Sequence, residues 1–253
     1  MSLAISMPAR AYAVGRDWIK NIRQVGPLAI FYPINLLRLR LIERAEGFDA
    51  RHGTDTGEFV WPWNVASSGA GGKSENQGYE GSQAWMVGEV IDALPIDPRQ
   101  FTFIDMGSGK GRSLLAASER PFQRIVGVEL MPELHRIAQR NVEVYRSPTQ
   151  RCSNISLQCM NAAEFDFGTE PLVLFMYNPF GKDTLAKVLV HLEASLRKTP
   201  REAYIVYVNP VFNKVLRGSS MCRLIRKGGA LWRPWARHVI YRVVPGQEGA
   251  PAA

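Results

Sequence analysis

Between residues 83 and 244 apolar positions recur with two different periods, and the two alternate along the chain. Short runs rich in β-branched and aromatic residues at 101–104, 124–128, 155–160, 171–177 and 203–208 predict strands. The stretches between them repeat their apolar residues every three to four positions and predict helices. At 83–94 these are Val87, Val90, Ile91 and Leu94, and at 131–141 Leu134, Ile137 and Ala138 follow Pro132 in the first turn. At 183–196, Leu185, Val188, Leu189, Leu192 and Leu196 keep one face, and 112–119 carries the strong helix formers Leu114, Leu115, Ala116 and Ala117. Strand and helix in alternation predict a doubly wound α/β domain with a mostly parallel sheet, and P-L-V-L-F-M-Y at 171–177 reads as a central strand covered on both faces. Leu224 to Ile225 and 238–244 would close the sheet as an antiparallel pair, with Trp232, Pro234 and Trp235 between them.

The ends carry a different pattern. In residues 1–47, Pro27 and Pro33 interrupt an apolar run, and Leu36, Leu37, Leu39, Leu41 and Ile42 interleave with Arg38, Arg40 and Arg44. That is too broken and too charged for a membrane span, and it lacks the layout of a signal peptide. A helical arm packed on the domain, or on a second copy of the chain in a homodimer, is favoured over an interfacial helix on a membrane surface of anionic lipid. Residues 48–77 read as a loop-rich lid containing W-P-W-N and S-S-G-A-G-G-K-S. The G-G-K-S is no phosphate loop, because Ser67 stands where the first glycine is required. The resulting division is a helical arm and lid at 1–78, a catalytic domain at 79–245 and a disordered tail at 246–253.

Charge and cysteine narrow the picture a little. Of the formal net charge of +8, the region from Arg201 onward supplies most, with nine Lys or Arg against Glu202 and Glu248. An acidic partner such as nucleic acid fits that surface, but no run is dense enough for a nucleic-acid arm, and a solvated basic face is favoured. Cys152, Cys159 and Cys222 have neither disulfide-framework nor metal spacing, and the four histidines are scattered. A reducing, cytoplasmic setting and no metal site are the simplest readings.

Candidate chemistry concentrates at 101–130. Asp105 ends the first strand, Gly107, Gly109 and Gly111 follow at alternate positions, and Glu129 ends the second strand. Glycines so spaced can turn tightly and bring backbone N–H groups against a ligand. An acid at the tip of the second strand can accept from both hydroxyls of a ribose. The dinucleotide fingerprint GxGxxG fails, since its third glycine falls on Arg112. Asp105 beside the turn would repel a pyrophosphate and suits a ligand with a positive end, such as the α-ammonium of S-adenosyl-L-methionine. At the start of the helix at 83–94, Tyr79 and Ser82 could hold that cofactor's carboxylate, while Ser82 could equally be a plain helix cap.

D-M-G-S-G-K-G followed by V-G-V-E-L resembles motif I and the second-strand acid of class I, seven-strand S-adenosylmethionine-dependent methyltransferases. Y-E-G-S-Q-A-W-M-V-G-E-V-I-D-A-L at 79–94 is similar to the same segment of seven-strand histone-lysine methyltransferases and the bacterial proteins grouped with them. The resemblance spans about 79–212 and implies a doubly wound, seven-strand Rossmann-like sheet. It implies that Tyr79 and Ser82 line the methionine end of the pocket. It also implies an adenine-contacting residue after the third strand, where Asn161 stands instead of the usual acid, with the backbone of Ala162 beside it and Glu164 as the rival. N-P-F at 178–180 resembles the [DN]-P-P-[YF] element of amine methyltransferases. Asn178 would then touch the cofactor's methyl end and orient an amine, with Phe180 as an apolar wall. The implied reaction is methyl transfer to nitrogen, with a protein lysine as the leading acceptor. The alternatives are a small-molecule acceptor, a nicotinamide oxidoreductase, or a non-catalytic nucleic-acid-binding module using the basic C-terminal region.

Overall fold

The computed structural model describes residues 47–57, 81–229 and 236–244, together with Leu41. The chain divides into two units, Met1–Gly47 and Phe48–Ala253, and only the second is described at length. The expected arm, most of the lid, Tyr79, the tryptophan-containing connection and the tail lie outside the described residues.

Seven strands form one sheet in the order β3-β2-β1-β4-β5-β7-β6. They are β1 (Thr102–Met106), β2 (Arg124–Glu129), β3 (Ile155–Cys159), β4 (Leu172–Tyr177), β5 (Ala203–Val208), β6 (Cys222–Gly228) and β7 (His238–Val243). β1 to β5 pair in parallel, and β7 runs antiparallel to both β5 and β6. The helices are α1 (Phe48–His52), α2 (Ala84–Asp92), α3 (Arg112–Ala117), α4 (Pro132–Val144), α5 (Lys182–Lys198) and α6 (Asn213–Arg217).

Alternation along each strand sends successive side chains to opposite faces, and both faces are covered. Ile104, Met106, Val126, Leu174, Met176 and Ile205 pack against the Leu185–Leu196 stripe of α5. Phe103, Ile125, Val173, Phe175 and Val206 pack against Val87, Val90, Ile91 and Leu114 of α2 and α3. Each fully buried Leu or Val of this kind contributes about 1.5–3 kcal/mol. The chain order of the strands reverses at β1, which has β2 on one side and β4 on the other. Beyond the carboxyl ends of strands at such a reversal, an open α/β sheet forms its ligand crevice.

Three expectations need correction. β1 continues through Asp105 to Met106, because its ladder with β2 runs on to the pair Met106–Val128; Asp105 therefore lies inside the strand and buried. β2 likewise includes Glu129, which is in register with Cys159. The start of the supposed lid is not loop: Phe48–His52 is helical, and Phe48 and Thr56 are buried against the domain.

Candidate active site

The turn after β1 owes its shape to three glycines with positive φ, Gly107 at 80°, Gly109 at 54° and Gly111 at 89°. Its first N–H groups do not face a ligand, contrary to the sequence reading. Those of Gly107 and Ser108 donate to the Val128 carbonyl at 2.8 and 3.0 Å, and that of Gly109 donates to Glu129 Oε2 at 2.8 Å. The pairing with β2 consumes the donors that a phosphate would need, so this turn is no pyrophosphate cradle. What the glycines provide is room. A Cβ on Gly107 would lie 2.3 Å from Cβ of Pro179, so the turn after β1 sits directly on the Asn178–Pro179 turn after β4.

Two carboxyl groups stand at this point. Asp105 is 2% exposed and accepts from the Ser113 hydroxyl. Burial, helped a little by the Glu129 charge and opposed by the Ser113 hydrogen bond, raises its pKa to about 7, and no cation among the described residues offsets it. Glu129 is also buried and also raised by burial, against the pull of backbone N–H groups of Met131, Gly109 and Leu130. Met131 N–H donates to its Oε1 at 2.9 Å. Each carboxylate oxygen keeps a second lone pair, so Glu129 can still accept from a ligand hydroxyl.

The remaining candidates spread along the same edge of the sheet. Ser82 is buried, but the capping position of α2 belongs to Gln83, so the plain-cap reading of Ser82 is replaced. Asn161, exposed beyond β3, caps the short 3₁₀ turn Ala162–Glu164 by accepting from Ala163 N–H at 3.0 Å, and its Nδ2 donates to Glu164 Oε1 at 3.4 Å. Asn161 and Glu164 are thus joined to each other on the same short turn. Ala162 is buried behind them. Asn178, at φ 42°, accepts from the Tyr207 hydroxyl at 3.0 Å. Phe180 is 7% exposed and sits in the core with Leu185, so it offers a ligand little surface in this conformation.

Sequence reasoning overlooked a polar clamp behind the turn. Lys110 and Arg112 are each 2% exposed, and buried cations demand partners. Lys110 Nζ donates to Asp55 Oδ1 at 2.8 Å; Arg112 Nε donates to Thr56 Oγ1 at 2.6 Å and its Nη2 to Asp49 Oδ2 at 3.3 Å. The Asn141 amide joins the parts, accepting from Asp55 N–H and donating to the Asp55 and Lys110 carbonyls. Two charged residues inside a glycine turn were the available signal; the partners, more than fifty residues upstream, were not.

Residues 74–168 match the family model for the histone methylation protein DOT1. That segment holds Ser82, Asp105, the glycine turn, Glu129 and Asn161. These 95 of the 253 residues are similar to that family. A histone-lysine N-methyltransferase specific for H3 lysine-79, from Dictyostelium discoideum, is 28% identical over 143 residues, which cover 53% of this chain and 7% of that one. The chain thus spans a small part of that relative's length. Among solved structures, a SAM-dependent methyltransferase from Aquifex aeolicus superposes with TM-score 0.48 at 13% identity, covering 62% of this chain and 89% of that one. The ribosomal protein L11 methylase from Lactobacillus delbrueckii subsp. bulgaricus gives TM-score 0.46 at 15% identity, covering 67% and 81%.

The described crevice suits a sulfonium nucleoside chemically. A sulfonium nucleoside carries an α-ammonium and a ribose diol, and the described crevice has a buried carboxyl without a cation and a second carboxyl with free lone pairs. Among the described residues no His, Cys, Asp and Glu cluster could hold a metal, and no helix is long and apolar enough to cross a membrane.

Proposed function

We propose that the chain transfers a methyl group from S-adenosyl-L-methionine to the nitrogen of an amine, with a protein lysine as the leading acceptor. The observation that carries the reading is the pair of buried carboxyls, Asp105 and Glu129, at the strand-order reversal, with no cation among the described residues offsetting Asp105. The bound cofactor supplies a methyl group made electrophilic by its sulfonium. Asp105 takes the ammonium, Glu129 the ribose hydroxyls, and Tyr79 and Ser82 the carboxylate end. Asn161, with the backbone of Ala162, holds the adenine edge. Asn178 orients the acceptor's lone pair toward the methyl, and Phe180, packed in the core with Leu185, anchors that turn. Such a transfer needs alignment and exclusion of water more than proton exchange, so a site with no nucleophilic His or Cys is adequate. The DOT1 match over residues 74–168 and the lysine specificity in the Dictyostelium relative's name support lysine over a small molecule. The free cysteines support a reducing, cytoplasmic setting.

Calorimetry tests the cofactor. S-adenosylhomocysteine should bind with a measurable heat and NAD should not; no heat from S-adenosylmethionine or S-adenosylhomocysteine on folded protein would end the enzymatic reading. Tritium transfer from labelled cofactor into fractionated host extract, with purified core histones in parallel, tests the acceptor. Label confined to small molecules or nucleic acid would overturn the lysine assignment.

A further inference from the structure

The tip of β5 repeats the tip of β4. Residues 177–180 read Y-N-P-F and residues 208–212 read V-N-P-V-F. In the parallel ladder Tyr177 is the register partner of Val208, so Asn178 and Asn209 are the next residues on adjacent strands. Both take the left-handed conformation, Asn178 at φ 42° and Asn209 at φ 47°, and among the described residues no other non-glycine does. Each is followed by proline, and each is half-buried. Left-handed backbone at a residue with a side chain costs about 1–3 kcal/mol and persists where the surroundings enforce it, most often at ligand sites.

Tyr207 joins the two tips. Its phenol, 1% exposed, donates to Asn178 Oδ1 at 3.0 Å and accepts from Phe212 N–H, in the turn that follows Asn209, at 3.4 Å. With that N–H on its acceptor side, the hydroxyl gives its one proton to an oxygen, which fixes the orientation of the Asn178 amide. One lone pair of Oδ1 is left for a ligand. The Asn209 backbone is also held, its N–H donating to the Arg237 carbonyl at 2.7 Å and its carbonyl accepting from Val211 N–H at 2.8 Å. Its side-chain amide makes no hydrogen bond to any described residue.

We propose that Asn209 is a second acceptor-binding residue, its amide oxygen and that of Asn178 receiving two N–H bonds of one primary amine, and that Tyr207 is the positioning residue that sets the pair. The proposal rests on the amine methyltransferase reading and extends it to a residue outside the N-P-F element. Two fixed carbonyl oxygens select a neutral amine with two N–H bonds, so unmethylated amines are the substrates it favours.

The test needs no identified acceptor. Two analogues of S-adenosylhomocysteine replace sulfur by nitrogen, one with a 2-aminoethyl arm and one with a propyl arm of equal length. Calorimetry on the full chain should show the amine arm bound about tenfold more tightly than the propyl arm, the scale of one hydrogen bond to a charged group. Asn209→Gly, which relieves the backbone strain at φ 47°, should keep or raise Tm, keep S-adenosylhomocysteine affinity and abolish the amine preference. Tyr207→Phe should keep S-adenosylhomocysteine affinity within about twofold and lose part of the preference, and adding Asn178→Ala should cost less than the two separate losses together. If the wild type binds S-adenosylhomocysteine but shows no amine preference, or Asn209→Gly retains it, the role of Asn209 is overturned. An unchanged preference in Tyr207→Phe overturns the positioning role. A wild type that binds no S-adenosylhomocysteine instead defeats the cofactor reading beneath.

Discussion

Asp105 is stabilised as an acid and useful as an anion, and that conflict is measurable. Its folded pKa is about 7 because burial disfavours the charge, against an ordinary value of 3.8. Between those values the unfolded chain has released a proton that the native state still holds. The native state therefore binds more protons, and this group's contribution to stability falls as pH rises from about 4 to about 7 and is level beyond. A ligand with a fixed ammonium favours the ionised form, so below pH 7 binding must expel the proton. The dissociation constant for S-adenosylhomocysteine should accordingly fall several-fold between about pH 6 and about pH 8. Asp105→Asn should flatten that profile, weaken binding about tenfold and leave Tm at pH 8 unchanged or higher. A pH-dependent affinity that survives the substitution would remove Asp105 from the cofactor site. The placement of Asp105 and Glu129 near the ends of adjacent strands was legible in sequence because carboxylates beside glycines are chemically conspicuous. The occupation of the turn's N–H groups was not, since it depends on how β2 lies against them.

At the scale of elements, the segment from Phe48 to Thr56 works as a strap behind the glycine turn. Burial alone would raise the Asp49 carboxyl, but hydrogen bonds from Thr56 and Thr54 and the Arg112 charge outweigh it and hold the pKa below the ordinary value. The sign is opposite to that of Asp105: this contribution is present above about pH 4 and is lost as pH falls through the lowered value. Asp49→Asn removes a carboxylate from the buried Arg112 guanidinium and should cost about 2 kcal/mol in urea unfolding at pH 7. It should also weaken S-adenosylhomocysteine binding, because Arg112 opens α3 directly after Gly111. A stability loss with untouched affinity would make the strap a purely structural device. Most of the fold was readable, since the 3.6-residue period of α5 and the apolar runs of β1 to β5 survive in the tertiary structure. β6 was not: five of its seven residues are exposed, so Arg223, Leu224, Ile225, Arg226 and Lys227 show no alternation, and two apolar residues were all that pointed to it.

For the whole molecule, charge bears on which amine the site meets. The chain carries +8, and the exposed edge strand β6 presents Arg223, Arg226 and Lys227 beside β7, with Arg242 on that neighbour. Such a surface repels a free lysine-rich tail and attracts an amine carried on something acidic, over about 8 Å at physiological ionic strength. For the proposed lysine acceptor, an acidic carrier would reconcile the basic face with the chemistry, and nucleic acid would then serve recruitment. Initial rates on the labelled acceptor from host extract should therefore fall several-fold as salt rises from about 50 to about 200 mM at saturating cofactor, whereas methylation of poly-L-lysine should rise or stay undetectable. Arg223→Glu combined with Arg226→Glu should reproduce the high-salt rate at low salt while leaving S-adenosylhomocysteine affinity unchanged. A salt-independent rate on the extract acceptor would show that shape alone, at the strand tips, brings the amine to the methyl group.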